Sequence, residues 1–291
     1  MDGVIFLQTI VNGLMMGGVY ALIAVGLTLI FGVMNVVNFA HGEFVMLGMV
    51  MTYLLYAFLG LDPGVSILLV IPVMLGLGAL IQKGLISRVI GQPDEAQILL
   101  TLGLSVLLVN LALLFMGPDY RSVKTSYKFS VWAVGPILFS VPRLLAFFVG
   151  MAFSGILWLF LTRTDLGKGL RAVAEKPEVA TLMGINPKKM HALAFGIGTS
   201  LAAGAGSILT PFFYTFPSVG SMFVLTAFVV VVLGGMGNIP GAILGALAIG
   251  VTESLTSQYV ALDLAMLGVY IVFVLVLVFK PSGILGKGKV Y

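Results

Sequence analysis

An all-α, polytopic transmembrane helical bundle of about eight to ten spans is the fold class this sequence predicts. Three observations predict it. First, 60% of the 291 residues are hydrophobic and only 9% are charged, whereas an ordinary soluble domain carries about 25% charge. Second, apolar windows long enough to cross a bilayer as helices recur from end to end. Third, the charge is gathered rather than spread. Nine of the 26 charged residues lie in the single stretch Arg163–Lys189. A β-barrel would show short alternating segments instead. The net charge of +4 collects in a few loops and is no nucleic-acid footprint. With no cysteine, disulfides and thiolate metal sites are excluded.

The elements follow in order. Met1-Asp2-Gly3 lacks the basic region of a signal peptide, so the first apolar run, Val4 to Phe31, is expected to be a retained span. It carries Gln8, Asn12 and the pair Gly13/Gly17, whose spacing lets helix backbones approach. A polar insert, Gly32 to Glu43, separates it from a second span over Phe44–Leu59. Asp62-Pro63-Gly64 is a turn before a third span, Val65–Ile86. Asp94 is expected to cap the fourth helix, with Gln97 completing a capping box, and the span runs over Ala96–Met116. A longer loop, Gly117–Pro142, holds Arg121, Lys124, Lys128 and Trp132. It leads past Arg143 to a fifth span, Leu144–Leu161. Beyond the charged stretch come a sixth span, Met190–Leu209, and two runs, Met222–Leu233 and Ala242–Leu255, flanking a glycine-rich segment. The first of these runs is short enough to be a broken or re-entrant helix. The last span is Ala261–Phe279, followed by Lys280-Pro281 and a short basic tail. The chain is thus expected to be one membrane domain, 1–291, with a loop at 163–189.

Basic residues orient the bundle. With nine crossings and the charged stretch inside, eleven Lys and Arg lie on the inner side, among them Lys83, Arg88, Lys280, Lys287 and Lys289. Only Arg121, Lys124, Lys128 and Arg143 lie outside. The C-terminus is then cytoplasmic and the N-terminus external. A faint repeat, G-x-x-N, occurs at Gly32–Asn35 and Gly235–Asn238.

Catalytic and phosphate-binding chemistry finds no footing. No G-x-x-x-x-G-K-[ST] occurs, so the chain has no phosphate-cradling loop of its own. The two histidines, His41 and His191, are far apart, and no metal-ligand spacing is present. Neither catalytic residues, metal nor cofactor is expected, and a membrane enzyme ranks last. Within or beside the spans, Glu43 and Glu253 are the acids, which argues against ion-coupled transport.

The charged stretch itself reads as two short helices. Asp165–Glu175 is interrupted by Pro177, and Glu178–Met183 ends at Gly184, free to take positive φ. Asn186 caps the next helix with Pro187 at its first position. Arg171 and Glu175, four apart, can pair. The alternative is a plain solvated loop.

Here the residues resemble a known family. Arg171 to Asn186 resembles the coupling loop of ABC importer permeases, whose pattern is E-A-A, three residues, then G. Glu178-Val179-Ala180 and Gly184 match it, with Val for the first Ala. Gly26–Asn35 running on to Asn38–Gly42, Val232–Ala242 and Pro281–Gly286 resemble one subfamily, the branched-chain amino acid (Liv-type) permeases, and its smaller subunit in particular.

The resemblance implies an importer subunit in the bacterial inner membrane, working by alternating access and moving Leu, Ile or Val. It implies a second homologous permease subunit, two ATP-binding subunits that hydrolyse ATP, and an external substrate-binding protein. Arg171, Glu175, Glu178, Ala180, Gly184, Ile185 and Asn186 are then expected to form the ATPase-coupling loop. Ala180 would allow close approach, and Ile185 would fill an apolar socket. Asn35, Asn38, His41 and Glu43 are candidates for the lining of the translocation path, in competition with a structural role between helices. Asn238 reads as a packing and helix-break element. Another small cargo, such as urea, an amide or a different amino acid, is the alternative on the same machinery. An ion-coupled transporter is the alternative from another class.

Overall fold

A computed structural model describes residues 2–286, and Lys287 and Lys289 of the basic tail lie outside the described residues. In chain order the helices are α1 (Asp2–Met34), α2 (His41–Leu59), α3 (Pro63–Gly84), α4 (Asp94–Met116), α5 (Val141–Arg163), α6 (Asp165–Glu175), α7 (Pro177–Leu182), α8 (Pro187–Leu209), α9 (Gly220–Gly234), α10 (Ile239–Tyr259) and α11 (Ala265–Phe279). A hairpin of β1 (Val131–Val134) and β2 (Ile137–Ser140) interrupts the long loop. Eight helices are long and apolar enough to cross a membrane. The bundle is therefore polytopic and helical.

The molecule has two ends. At one lie the hairpin, Asp62, and the α8–α9 connection. Gln8 and Leu138 exchange two 2.8 Å hydrogen bonds there, tying the start of α1 to β2. Arg121 and Thr215 pair as an isolated bridge. At the other end lie α6, α7 and the Gly235–Asn238 turn. α9 joins the two. At 15 residues it spans about 22 Å, short of a roughly 30 Å hydrocarbon core, and non-helical residues at each side complete the passage. The chain thus passes nine times between its ends.

α1 and α8 form the core and are almost wholly buried, whereas α4 and α11 expose most of their surface. In lipid that arrangement is the expected one, because apolar side chains are at home on the outside and packing drives association. Small residues let the buried helices touch. Gly13 and Gly17 seat α1 against Gly250 and Leu247 of α10, and Gly26 seats it against Gly198 of α8. At each of these a Cβ would fall within 3 Å of facing backbone.

Three differences from the sequence expectation stand out. α2 begins at His41, not Phe44, so Gly42 and Glu43 are helical. Asp94 does not cap α4: Pro93 holds the N-cap position, and Asp94 and Glu95 fill the first turn. There their charge faces the positive end of the helix dipole, while Gln97 Nε2 donates back to the Gln92 carbonyl at 3.0 Å. The hairpin was not expected at all, since Gly135 at its turn (φ +59°) is the one local signal.

Candidate functional site

The charged stretch folds into a wedge. Thr164 Oγ1 caps α6 by accepting from Gly167 N at 3.0 Å. Leu170 and Val173 are buried, one helical turn apart, so α6 lies with one face on the bundle. Gly167 brings that face against the backbone of α5 at Phe160 and Leu161. The same face borders a small cavity of about 80 Å³, lined by Thr28, Gly32, Arg171, Ala174, Gly237 and neighbours. Gly32 and Gly237 touch there: a Cβ on Gly32 would lie 3.1 Å from the Gly237 Cα. The two G-x-x-N turns are therefore in contact, under α6.

α7 begins at Pro177, one residue before the expected start, with the proline at N1. Gly184 takes φ +80°. Ile185 N donates to the Ala180 carbonyl and Gly184 N to Thr181, both at 3.0 Å, closing the helix with a 6→1 bond of the Schellman type. Asn186 Oδ1 accepts from Lys189 N at 3.3 Å and starts α8. Pinned at both ends, α7 exposes Val179, Leu182 and Met183, the last two by 86% and 77%. These three apolar side chains make this end of the loop the candidate contact surface.

Each expected residue has a definite place. Arg171, Glu175 and Glu178 are exposed. Arg171 and Glu175 do not pair; the ion pair on α6 is Lys168–Asp165 at 2.9 Å, three residues apart. Ala180 faces inward and is buried by this chain itself, and Ile185 packs against the same core. The apolar surface offered outward is instead that of α7's other face.

The polar insert does the opposite of the charged stretch. Asn35 closes α1 in a left-handed conformation, φ 51°, and its side chain is exposed. The chain then climbs back into the bundle. Thr101 Oγ1 of α4 lies 3.2 Å from the Val37 carbonyl. His41 Nε2 donates to the Ile23 carbonyl, midway along α1, at 3.0 Å. Asn38, His41 and Glu43 are all buried. Asn38 Oδ1 accepts from Ala40 N at 3.2 Å. Ser105 Oγ of α4 donates to Glu43 Oε1 at 3.1 Å. Gly220, the first residue of α9, meets Gly42 and Glu43. His41 and Glu43 are two apart on α2, so they point to nearly opposite sides, one to α1 and one to α4. They bind three helices to α2 rather than lining one face together, and Asn35 is not with them. Each still leaves one polar atom without a partner: Asn38 Nδ2, His41 Nδ1 and Glu43 Oε2. Asn238 caps α10 through Gly241 N at 3.0 Å and donates to the Leu285 carbonyl at 2.7 Å, a helix-break role.

A third place was not legible as a site. Tyr20, Arg143 and Glu253, from α1, α5 and α10, line one cavity of about 640 Å³ at the hairpin end. In the sequence Arg143 is one loop cation among four and Glu253 a span-end acid. The only local signal is that each borders an apolar run.

The family model described as branched-chain amino acid transport system, permease component, matches residues 9–277. The chain belongs to this permease family. The high-affinity branched-chain amino acid transport system permease protein BraD of Pseudomonas aeruginosa is 33% identical over 98% of this chain and 97% of its own. The corresponding protein LivH of Salmonella typhimurium is 35% identical over the same shares. LivM of Escherichia coli, also a permease protein of such a system, is 31% identical over 43% of this chain and 29% of its own. No solved structure matches the chain. As a permease component, this is a multi-pass transport subunit, and an ABC-type permease has ATP-binding and substrate-binding partners.

Proposed function

We propose that the chain is one permease subunit of an ATP-driven importer of branched-chain amino acids, coupled to its motor through α6 and α7. The observation that carries this is the exposed apolar face of α7, fixed between two capped turns on a wedge that bears on the glycine junction. The full-length likeness to BraD and LivH supports the cargo. The partial likeness to LivM supports a second, homologous permease subunit. Two ATP-binding subunits supply the energy, which suits a chain with no phosphate loop, and an external binding protein delivers substrate.

The membrane is the bacterial inner membrane, and the α6–α7 end is cytoplasmic. Nine of the described Lys and Arg lie at that end against four at the other, as the positive-inside rule requires. Nine passages then put the C-terminus inside and the N-terminus outside.

The mechanism follows from the packing. Val179, Leu182 and Met183 enter an apolar groove on an ATP-binding subunit, flanked by Arg171, Glu175 and Glu178. Gly184 and Asn186 keep α7 rigid, so closure of the ATPase pair moves the wedge as a unit. α6 passes the movement to the Gly32–Gly237 junction, where α1, α9 and α10 end. A bundle with two packings then switches between outward- and inward-open states.

Reconstituted with its partners, the subunit takes up leucine only with ATP. Gly184→Asp strains the positive-φ turn without a clash, because open space surrounds that position. It abolishes uptake while the spans assemble. Leucine uptake by the permease subunits with no ATP-binding subunit present would falsify the proposal.

A further inference from the structure

The cavity at the hairpin end holds one acid and one base that do not meet. Arg143, at the start of α5, carries its guanidinium 5.9 Å from the centre of the Phe212 ring. Glu253, in α10, borders the same space, with Tyr20 of α1 turned towards it. Glu253 Oε2 is buried and has no hydrogen-bond partner. Among the described residues the ion pairs within 4.0 Å are Arg121–Asp119 and Lys168–Asp165, so Arg143 and Glu253 border the cavity without pairing. The rest of the lining is mostly apolar, with Met16, Phe213, Met222 and Leu225. At about 640 Å³ the space falls within the usual range for small-molecule sites, about 300–1,000 Å³.

Arg143 and Glu253 are half-buried and unpaired with each other, so a ligand that carries both charges would complete them. The ligand must bring a cation to Glu253 and an anion to Arg143 and must be apolar in the remainder. We infer that this cavity is a substrate site for the zwitterionic form of an α-amino acid, with Arg143 taking the carboxylate, Glu253 the ammonium, and the apolar wall a hydrocarbon side chain. A guanidinium fork matches a carboxylate in two hydrogen bonds. Tyr20 steadies Glu253. The assignment rests on the branched-chain amino acid reading and adds to it the residues that meet the cargo. The position also suits it: the cavity lies at the end away from α6 and α7, where an external binding protein releases its load.

The test uses the whole transporter in liposomes, with its ATP-binding subunits and leucine-loaded binding protein. Glu253→Gln and Arg143→Gln each lower the maximal leucine uptake rate at least about tenfold, the scale of a lost hydrogen bond to a charged group, while the complex purifies intact. Glu253→Asp recovers part of the loss, which a merely structural role would not give. Wild-type uptake in both Gln variants overturns the site and leaves the functional reading standing. A wild-type transporter that moves no branched-chain amino acid overturns that reading, and the site falls with it. Should a variant fail to assemble, the otherwise cysteine-free chain allows a second measurement. Ser221→Cys places one thiol on the cavity wall. Leucine-loaded binding protein slows its modification by a charged methanethiosulfonate reagent more than empty binding protein does; equal rates overturn the site.

Discussion

Two polar interruptions break this apolar chain, and they go opposite ways. Residues 163–189 leave the bundle and fold on its surface. Residues 35–43 turn back into it. The difference is in what each would bring into a low-dielectric interior. The first carries nine charges, with only one internal ion pair, Lys168–Asp165, among the described residues. Burying the rest would cost several kcal/mol per ion. The second carries one acid and one histidine. Its non-helical backbone finds partners in Thr101 and in its own turns. Irregular backbone is tolerated at membrane depth when it is buried in protein. One interruption thus stays on the surface and the other holds helices together.

The comparison can be broken most severely at the outward-facing stretch. The pair Leu182→Asp with Met183→Asp removes the exposed apolar face of α7. ATP-driven leucine uptake is expected to fall to background, with helix content by circular dichroism unchanged, because neither side chain packs into the bundle. Loss of folding in that variant would show that α7 belongs to the bundle and not to a partner.

The inward-facing stretch predicts the reverse, a stability effect. Ser105→Val leaves both Glu43 oxygens without a donor. It is expected to destabilise the subunit by about 1–3 kcal/mol, read as a lower melting temperature in detergent. An unchanged melting temperature would mean that Glu43 is solvated and lines a wet path.

Gly184→Val sharpens the outward case. A β-branched residue at φ +80° costs about 1–2 kcal/mol and should fray the end of α7. Uptake is expected to drop several-fold more than stability does; equal losses in both would count against a coupling role.

The smallest effect lies outside both stretches. The Tyr127 hydroxyl donates to Asp62 Oδ1 at 3.0 Å, holding the hairpin loop to the start of α3. Tyr127→Phe is expected to cost about 1 kcal/mol. Burial first, and then the Asp62 carboxylate, push the Tyr127 phenol above its ordinary value. A phenol whose folded-state value is raised keeps its contribution below the unfolded value, near 10, and loses it as pH rises through the folded one. The Phe variant should therefore differ from wild type equally at pH 6 and pH 8, and less only in strong alkali.

Much of the outward stretch was legible because its determinants are local. Pro177 as the break between two short helices, Gly184 at positive φ and Asn186 as a cap each act within a few residues, and the structure places them so, with α7 starting at Pro177 itself. Arg171 and Glu175, which could pair by spacing, do not: both are exposed, and the ion pair on α6 is Lys168–Asp165. Asp94 as a cap failed because Pro93 already occupied that position. The inward stretch was half legible. Its polar residues were evident, but which helix each would meet was not.

By itself, the sequence determined the class of the molecule. Composition forbids a water-soluble core, run lengths bound the number of passes at eight to ten, and the distribution of Lys and Arg separates the two ends. These follow from the solvent, and the solvent acts on every residue where it stands in the chain. The tertiary structure alone decided what meets what: the touching of Gly32 and Gly237, the inward turn of Ala180, and the placing of Arg143 and Glu253 on one cavity. Those pairings depend on helices brought together from distant parts of the chain. In a bilayer, close packing chooses such partners, and packing complementarity is a property of surfaces that exist only after the helices have assembled.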